Sequence, residues 1–282
     1  MNRSLLFTPG HKIEYIRNLK KFPDILVVDL EDSVPKDKKN IALQKTQNFL
    51  EENYYKKSEI YIRIDFNNKS IDKKYRNIIH KNLTGIILPK IQNKNDLKLL
   101  LNFVVKQEKL KKIKNKIKLS FIAETTQSII NLNSIIKSTS RINFIIYGEE
   151  DYHADLNNIN FSDKLTNNYA KNIIPIFSKS HNIHAIYTPY LFLKNLKGLK
   201  KHISDSIMMG YSGLLLIHPK QIDLANKLYM PSKKDLKIAN QIINSNKSKK
   251  YEGQNISVLK NKLIGPPMIR RAKKIINLYN SK

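Results

Sequence analysis

Between Ser4 and Ile217 the chain places eight short runs rich in Val, Ile, Leu and Phe. They are Ser4–Thr8, Ile25–Leu30, Ile60–Asp65, Gly85–Pro89, Leu119–Ala123, Ile142–Tyr147, His184–Thr188 and Gly213–Ile217. Most are near-continuous rather than alternating. Such runs suit strands buried on both faces, as in a parallel sheet covered by helices. Helical patterns fill the gaps. Leu97, Leu100, Leu101, Val104 and Val105 share one helical face, and Ile129, Leu132, Ile135 and Ile136 share another. Residues 168–180 carry Ile173, Ile174 and Phe177 in the same fashion, with Pro175 marking a kink or a start. Eight strands alternating with helices predict an α/β chain folded as a (β/α)8 TIM barrel, typically ~250 residues. An open doubly wound sheet is the alternative. No phosphate loop of the GxGxxG or GxxxxGK type is present.

The barrel and its active site are expected within residues 1–230. Residues 231–282 are expected to form a C-terminal extension, a helical lid or oligomer arm. Ser232 caps a helix there, with Asp235 three residues on. Asn244 to Tyr251 reads as a loop, and Gly265-Pro266-Pro267 precedes a last basic helix ending near Tyr279.

The 282 residues include 51 Lys and Arg against 23 Asp and Glu, a net charge of +28. The lysines are scattered along the chain, and Asn and Ile are swollen with them. All three have A/T-rich codons, so we read compositional drift rather than a specific nucleic-acid interface. The charge still attracts anionic ligands. With no Cys, disulfides, thiolate zinc sites and thiol nucleophiles are excluded. No apolar run approaches the ~20 residues that cross a bilayer. Leu5–Leu6–Phe7 is too short for a signal-peptide core. A soluble, cytoplasmic protein with no membrane partner is expected.

Polar residues gather at the carboxyl ends of the runs, where a barrel of this kind builds its active site. The second run ends in Asp29-Leu30-Glu31-Asp32, the third carries Arg63 and Asp65, and the fourth ends at Pro89-Lys90. The fifth ends at Glu124-Thr125-Thr126, the sixth at Gly148-Glu149-Glu150-Asp151 and the eighth at His218-Pro219. Carboxylates from three strands would converge beside an arginine. They repel one another unless a cation or proton sits among them. Oxygen donors without Cys suit a hard ion such as Mg2+. His218 either terminates its strand with a satisfied imidazole or contacts substrate.

The segments RSLLFTPG, LVVDLEDSV, YIRID, GIILPKI, AETTQS, YGEEDYHADL and LLIHPKQI, in this order, resemble the citrate lyase beta subunit family of the HpcH/HpaI aldolase superfamily. The resemblance covers nearly the whole chain. It implies a carbon–carbon lyase dependent on Mg2+, with Mn2+ as a substitute, that cleaves or forms citryl-, malyl- or citramalyl-CoA through a metal-stabilised enolate. It implies a trimeric or hexameric homo-oligomer. By the resemblance, Glu124 and Asp151 bind the metal and Arg63 grips substrate oxygens. Glu31 and Asp32 order waters around the ion. Thr8 and Gly10 lie where the family places part of the acyl-CoA, and Lys90 matches its PK element.

The departures from the family pattern are specific. Asp65 stands for an amide, Ser128 for a glycine, Tyr187 for an aspartate and Leu43 for an arginine. Gly265 stands where family lids carry an aspartate that acts in proton transfer. That loss points to two further readings: an aldolase acting on a free oxo- or hydroxy-acid or another carrier, and a non-catalytic barrel subunit. With Gly265 unable to serve, the candidates for the proton are Asp65, an acid of the LED segment acting through water, and His218.

Overall fold

The computed structural model describes residues 2–52, 57–66, 70–158, 168–247 and 257–281. The chain divides into two compact units, residues 1–226 and 227–282.

Eight parallel strands close the first unit into a barrel in chain order. They are β1 (Ser4–Pro9), β2 (Ile25–Asp29), β3 (Glu59–Arg63), β4 (Gly85–Leu88), β5 (Lys118–Ala123), β6 (Ile142–Tyr147), β7 (His184–Tyr187) and β8 (Gly213–Leu216). The helices of this unit are α1 (Glu14–Arg17), α2 (Lys39–Glu51), α3 (Lys94–Leu110), α4 (Thr126–Ile130), α5 (Leu132–Ile136), α6 (Glu149–Asp155), α7 (Asn168–Ser180) and α8 (Leu196–Met209); α9 (Ile222–Leu228) follows β8. The fold is the (β/α)8 barrel read from the runs. Pro175 lies inside α7, so it does not mark the helix start.

Strand side chains alternate between faces, and in a barrel one parity points inward. Here Leu5, Ile25, Val27, Tyr61, Ile87, Ile122, Phe144, Ile146 and Ile186 form the inner cluster, with Phe7 and Leu215 packed against it. The opposite parity, including Leu26, Val28, Ile62, Ile86 and Ile145, is buried too. It is the side on which helices cover a barrel, and burial on both faces explains the near-continuous apolar runs. Tyr61 keeps its phenol satisfied by a 2.7 Å hydrogen bond from the Asn143 amide.

The same inward parity continues past the apolar layers. Two residues beyond Val27 comes Asp29, two beyond Tyr61 comes Arg63, and two beyond Ile122 comes Glu124. Strand register sets Asp29 directly beside Arg63. A period-2 pattern therefore delivers charged groups to the carboxyl-terminal mouth.

The second unit holds α10 (Lys233–Lys247), a hairpin of β9 (Ser257–Leu259) and β10 (Lys262–Ile264), and α11 (Pro266–Asn280). Ser232 and Asp235 form the reciprocal cap at the start of α10. Helices α10 and α11 pack on each other. One reading is corrected here. Residues Asn244–Lys247, taken as loop, continue α10, because the helix is carried by packing rather than by its polar composition; residues 248–251 lie outside those described. The hairpin was not foreseen. Its turn residues Lys260 and Asn261 both take positive φ, 49° and 63°, as a two-residue hairpin turn requires. No helix among the described residues is long and apolar enough to cross a membrane.

Candidate active site

A cavity of about 360 Å3 opens at the carboxyl end of the barrel. Asp29, Arg63, Glu124, Gly148 and Asp151 line it, over a floor that includes Phe7, Ile122 and Leu215.

Glu124 follows β5 and is 3 % exposed. Its Oε1 accepts a 2.6 Å hydrogen bond from the backbone N–H of Lys90. Lys90 reaches this geometry with φ at +51°, a left-handed conformation uncommon outside glycine. Across the gap stands Gly148. A Cβ there would lie 2.5 Å from the Glu124 Cβ and 2.8 Å from its Oε2, so only glycine leaves room for the carboxylate. Burial, and then the charges of Asp151 and Glu31, push the Glu124 carboxyl up to about 8, against the Lys90 N–H and Arg63. After Glu124 the chain enters α4 through a capping box. Ser128 accepts from the Thr125 N–H while the Thr125 hydroxyl accepts from the Ser128 N–H. Ser128, where the resemblance implies a glycine, thus ties down the turn behind Glu124.

Arg63 ends β3 in a double clamp. Its Nε and Nη2 donate to the two oxygens of Asp29 at 2.7 and 2.6 Å, a bidentate pair. Its Nη1 lies 2.9 Å from Glu31 Oε2. Burial alone would favour the neutral guanidine, but Asp29 and Glu31 outweigh it and hold Arg63 above its ordinary value. Asp29, 1 % exposed, also accepts from the Glu31 N–H and the Ser33 hydroxyl. Burial pulls its carboxyl up, but Arg63 and these bonds hold it below the usual carboxylate range. Asp29 is the residue that the sequence reading left as a mere strand end. Its inward parity was the available signal.

Glu31 is buried, and desolvation raises its carboxyl above the ordinary value despite Arg63 and Lys90. Lys90 Nζ bridges Glu31 Oε1 at 2.8 Å and Asp32 at 3.1 Å. So Lys90 and the exposed Asp32 serve the rim rather than the cavity lining. Thr8 is buried on the outward parity of β1. Gly10 is packed: a Cβ would lie 2.8 Å from Leu30 Cδ2 and 3.2 Å from Ala42 Cβ. His218 also stays out of the lining, and its Nδ1 accepts from the Lys220 N–H at 3.1 Å, capping a short 3-10 turn. Of the nine residues singled out from sequence, Arg63, Glu124 and Asp151 line the cavity; Glu31 contacts Arg63, Lys90 contacts Glu124 through its N–H, and Asp32 pairs with Lys90, while Thr8, Gly10 and His218 are not part of the lining. Glu149 and Glu150 line the cavity as well and were not singled out.

Among the described residues, no group of three or more His, Asp and Glu is placed to hold a metal on its own. The donor set still fits one kind of ion. Glu124 carries an unmet preference for positive charge, set against Asp151 and Glu31. Two carboxylates with retained waters are the usual protein contribution to a hexacoordinate hard cation.

Comparison with known proteins agrees with the fold. Residues 3–219 match the family model described as HpcH/HpaI aldolase/citrate lyase. The chain is 24% identical to the citrate lyase subunit beta of Leuconostoc mesenteroides subsp. cremoris, over 100% of this chain and 94% of that one. It is 22% identical to the mitochondrial citramalyl-CoA lyase of Homo sapiens, over 99% and 86%. The fold superposes with a TM-score of 0.79, at 17% identity and over 98% and 97% of the two chains, on the solved structure of CitE from Mycobacterium tuberculosis in complex with magnesium, acetoacetate and coenzyme A. A barrel matched from its first strand to the turn after its last, with acid and arginine at its mouth, places this chain in the HpcH/HpaI aldolase/citrate lyase family.

Proposed function

We propose that the protein is a divalent-cation-dependent carbon–carbon lyase that cleaves or forms a 3-hydroxyacyl-CoA thioester of the citryl, malyl or citramalyl kind. The observation that carries the reading is Glu124: a buried carboxyl pushed up to about 8 by burial and by Asp151, beside a doubly clamped arginine. Glu124 and Asp151 would hold Mg2+, or Mn2+ in its place. The bound ion supplies Lewis-acid polarisation of the substrate's carboxylate and neighbouring oxygen.

The chain's own groups do the rest. Arg63 has five N–H donors; two are spent on Asp29 and one faces Glu31, which leaves two for substrate oxygens. A preorganised guanidinium stabilises the negative oxygen that develops as the C–C bond breaks. Phe7, Ile122 and Leu215 close the floor with apolar surface, which strengthens these charge interactions. Of the sequence candidates for the proton, Asp65 is paired with Lys39 and His218 caps a turn. Glu31, with its raised carboxyl, is the group we assign, acting through water. The second unit is read as a lid or oligomer arm, and the assembly as a trimer or hexamer.

Gly265 favours a second reading, an aldolase for free oxo- or hydroxy-acids, because no acid stands at the family's lid position. One cleavage assay separates the two. Citryl-, malyl- and citramalyl-CoA are compared with the free hydroxy-acids, with Mg2+ and with a chelator. Turnover confined to thioesters and lost with the chelator supports the first reading; turnover of free acids alone supports the second. Glu124→Ala and Asp151→Ala are each expected to abolish Mg2+ binding and cleavage, and unchanged turnover in either would reject this site.

A further inference from the structure

Lys39 opens α2, and its ammonium sits among three acceptor groups. Nζ donates to the carbonyl oxygens of Leu30 and Glu31, both at 2.8 Å. It also lies 3.1 and 3.3 Å from the two carboxylate oxygens of Asp65. An ammonium has three N–H donors and no acceptor, so two carbonyls and one carboxylate use all of them. The Lys39 side chain is 24% exposed and that of Asp65 17%. Asp65 is fixed in turn by Tyr75, a buried residue whose hydroxyl accepts from the Asp65 N–H at 3.1 Å.

The two carbonyls belong to the loop that carries Glu31. That matters because the Glu31 side chain is not locked by its own contact to Arg63. Its Oε2 lies 2.9 Å from Nη1, but the pair is not aligned as a hydrogen bond. On the opposite side, Arg63 is held by two aligned bonds to Asp29. The Glu31 contact is therefore the looser half of the clamp; Lys90 Nζ holds the other carboxylate oxygen at 2.8 Å, and the backbone of residues 30–34 sets where the side chain departs. That backbone is tied internally by the Val34 N–H to the Glu31 carbonyl and to β3 by the Leu30 N–H to the Arg63 carbonyl. Lys39 adds the tie that joins it to the loop after β3.

We propose that Lys39 is a positioning residue that pins the 30–34 loop to Asp65 and so sets the Glu31 carboxylate against Arg63. Asp65 is then the counter-ion of Lys39 and not a base. An aspartate where the resembling family has an amide gives the ammonium a charge partner in a place that water reaches only in part. The inference rests on the lyase reading for its kinetic test alone.

The experiment compares wild type, Lys39→Met and Lys39→Arg by amide hydrogen exchange and by kinetics. Lys39→Met removes all three donors and keeps the apolar stem. It is expected to raise exchange in residues 30–34 by about tenfold or more while β5 to β8 stay unchanged. It is also expected to lower kcat about tenfold with KM within about threefold. Lys39→Arg, which keeps charge and donors, restores most of both. If Lys39→Met does not fold, Asp65→Asn, which keeps an oxygen acceptor, gives the same readouts at smaller amplitude. Unchanged exchange in residues 30–34 overturns the proposal. Raised exchange with unaltered kcat overturns the positioning role. A wild-type protein that turns over none of the acids or thioesters rejects the lyase reading instead, and the loop tie is then decided by exchange alone.

Discussion

Glu124 concentrates the chemistry of the site into one titration. Its carboxyl stands at about 8, raised by burial, Asp151 and Glu31, against an ordinary ~4.3. Below about 8 the cation-free protein therefore keeps a proton there, and a cation bound as proposed would have to displace it. Apparent Mg2+ affinity is expected to rise by up to about tenfold per pH unit below that value and to level off above it. Calorimetry in buffers of different ionisation heat should show proton release at neutral pH that vanishes in Glu124→Gln. The stability sign follows. The folded state binds this proton more tightly than the unfolded chain, so its stabilising contribution is full below the unfolded value and is lost as pH rises through about 8. Added Mg2+ is thus expected to raise Tm more at pH 8 than at pH 6. Gly148 sets the geometry beside it. Gly148→Ala puts a methyl 2.5 Å from the Glu124 Cβ. It should weaken Mg2+ binding at least about tenfold while the barrel still melts cooperatively. Wild-type affinity in that variant would show the space is not needed.

Short elements and their ends place these residues. The left-handed turn of Lys90 aims an N–H at Glu124 while its side chain bridges Glu31 and Asp32. Backbone in this region costs roughly 1–3 kcal/mol, a local strain found at the mouth. Asp155 accepts from the Thr126 N–H and hydroxyl and so caps the first turn of α4. In the second unit Gly265 is the N-cap of α11, with extended backbone and open space where a Cβ would be, its nearest neighbour being Pro267 Cδ at 3.8 Å. Nothing steric requires glycine there. Gly265→Asp should fold, cap the Met268 N–H and stabilise α11 by a few tenths of a kcal/mol. If the missing lid acid limits thioester cleavage, the same variant raises kcat on the CoA substrates; an unchanged kcat would mean that the acid is not what limits them.

For the whole molecule, the charge of +28 favours encounter with anions. If the substrate is the proposed CoA thioester, a polyanion, kcat/KM is expected to fall several-fold between about 20 and 300 mM salt, as the field is screened. A salt-independent kcat/KM would argue against a polyanionic substrate.

What the sequence alone determined is the repeating part. Eight apolar runs set the strands to within a residue or two, because burial on both faces writes a continuous pattern into the chain. Period-2 alternation then carried Arg63 and Glu124 inward to the mouth. It did not determine the pairings. Asp29 looked like a strand end until register set it beside Arg63. Lys39 looked like one lysine among many until folding brought its ammonium against Leu30, Glu31 and Asp65. The contacts of Gly10 and Lys90 likewise come only from the fold. Patterning reports which face a residue takes, but a hydrogen bond or a shifted carboxyl depends on distance and on how much water is excluded, and only the closed barrel fixes those.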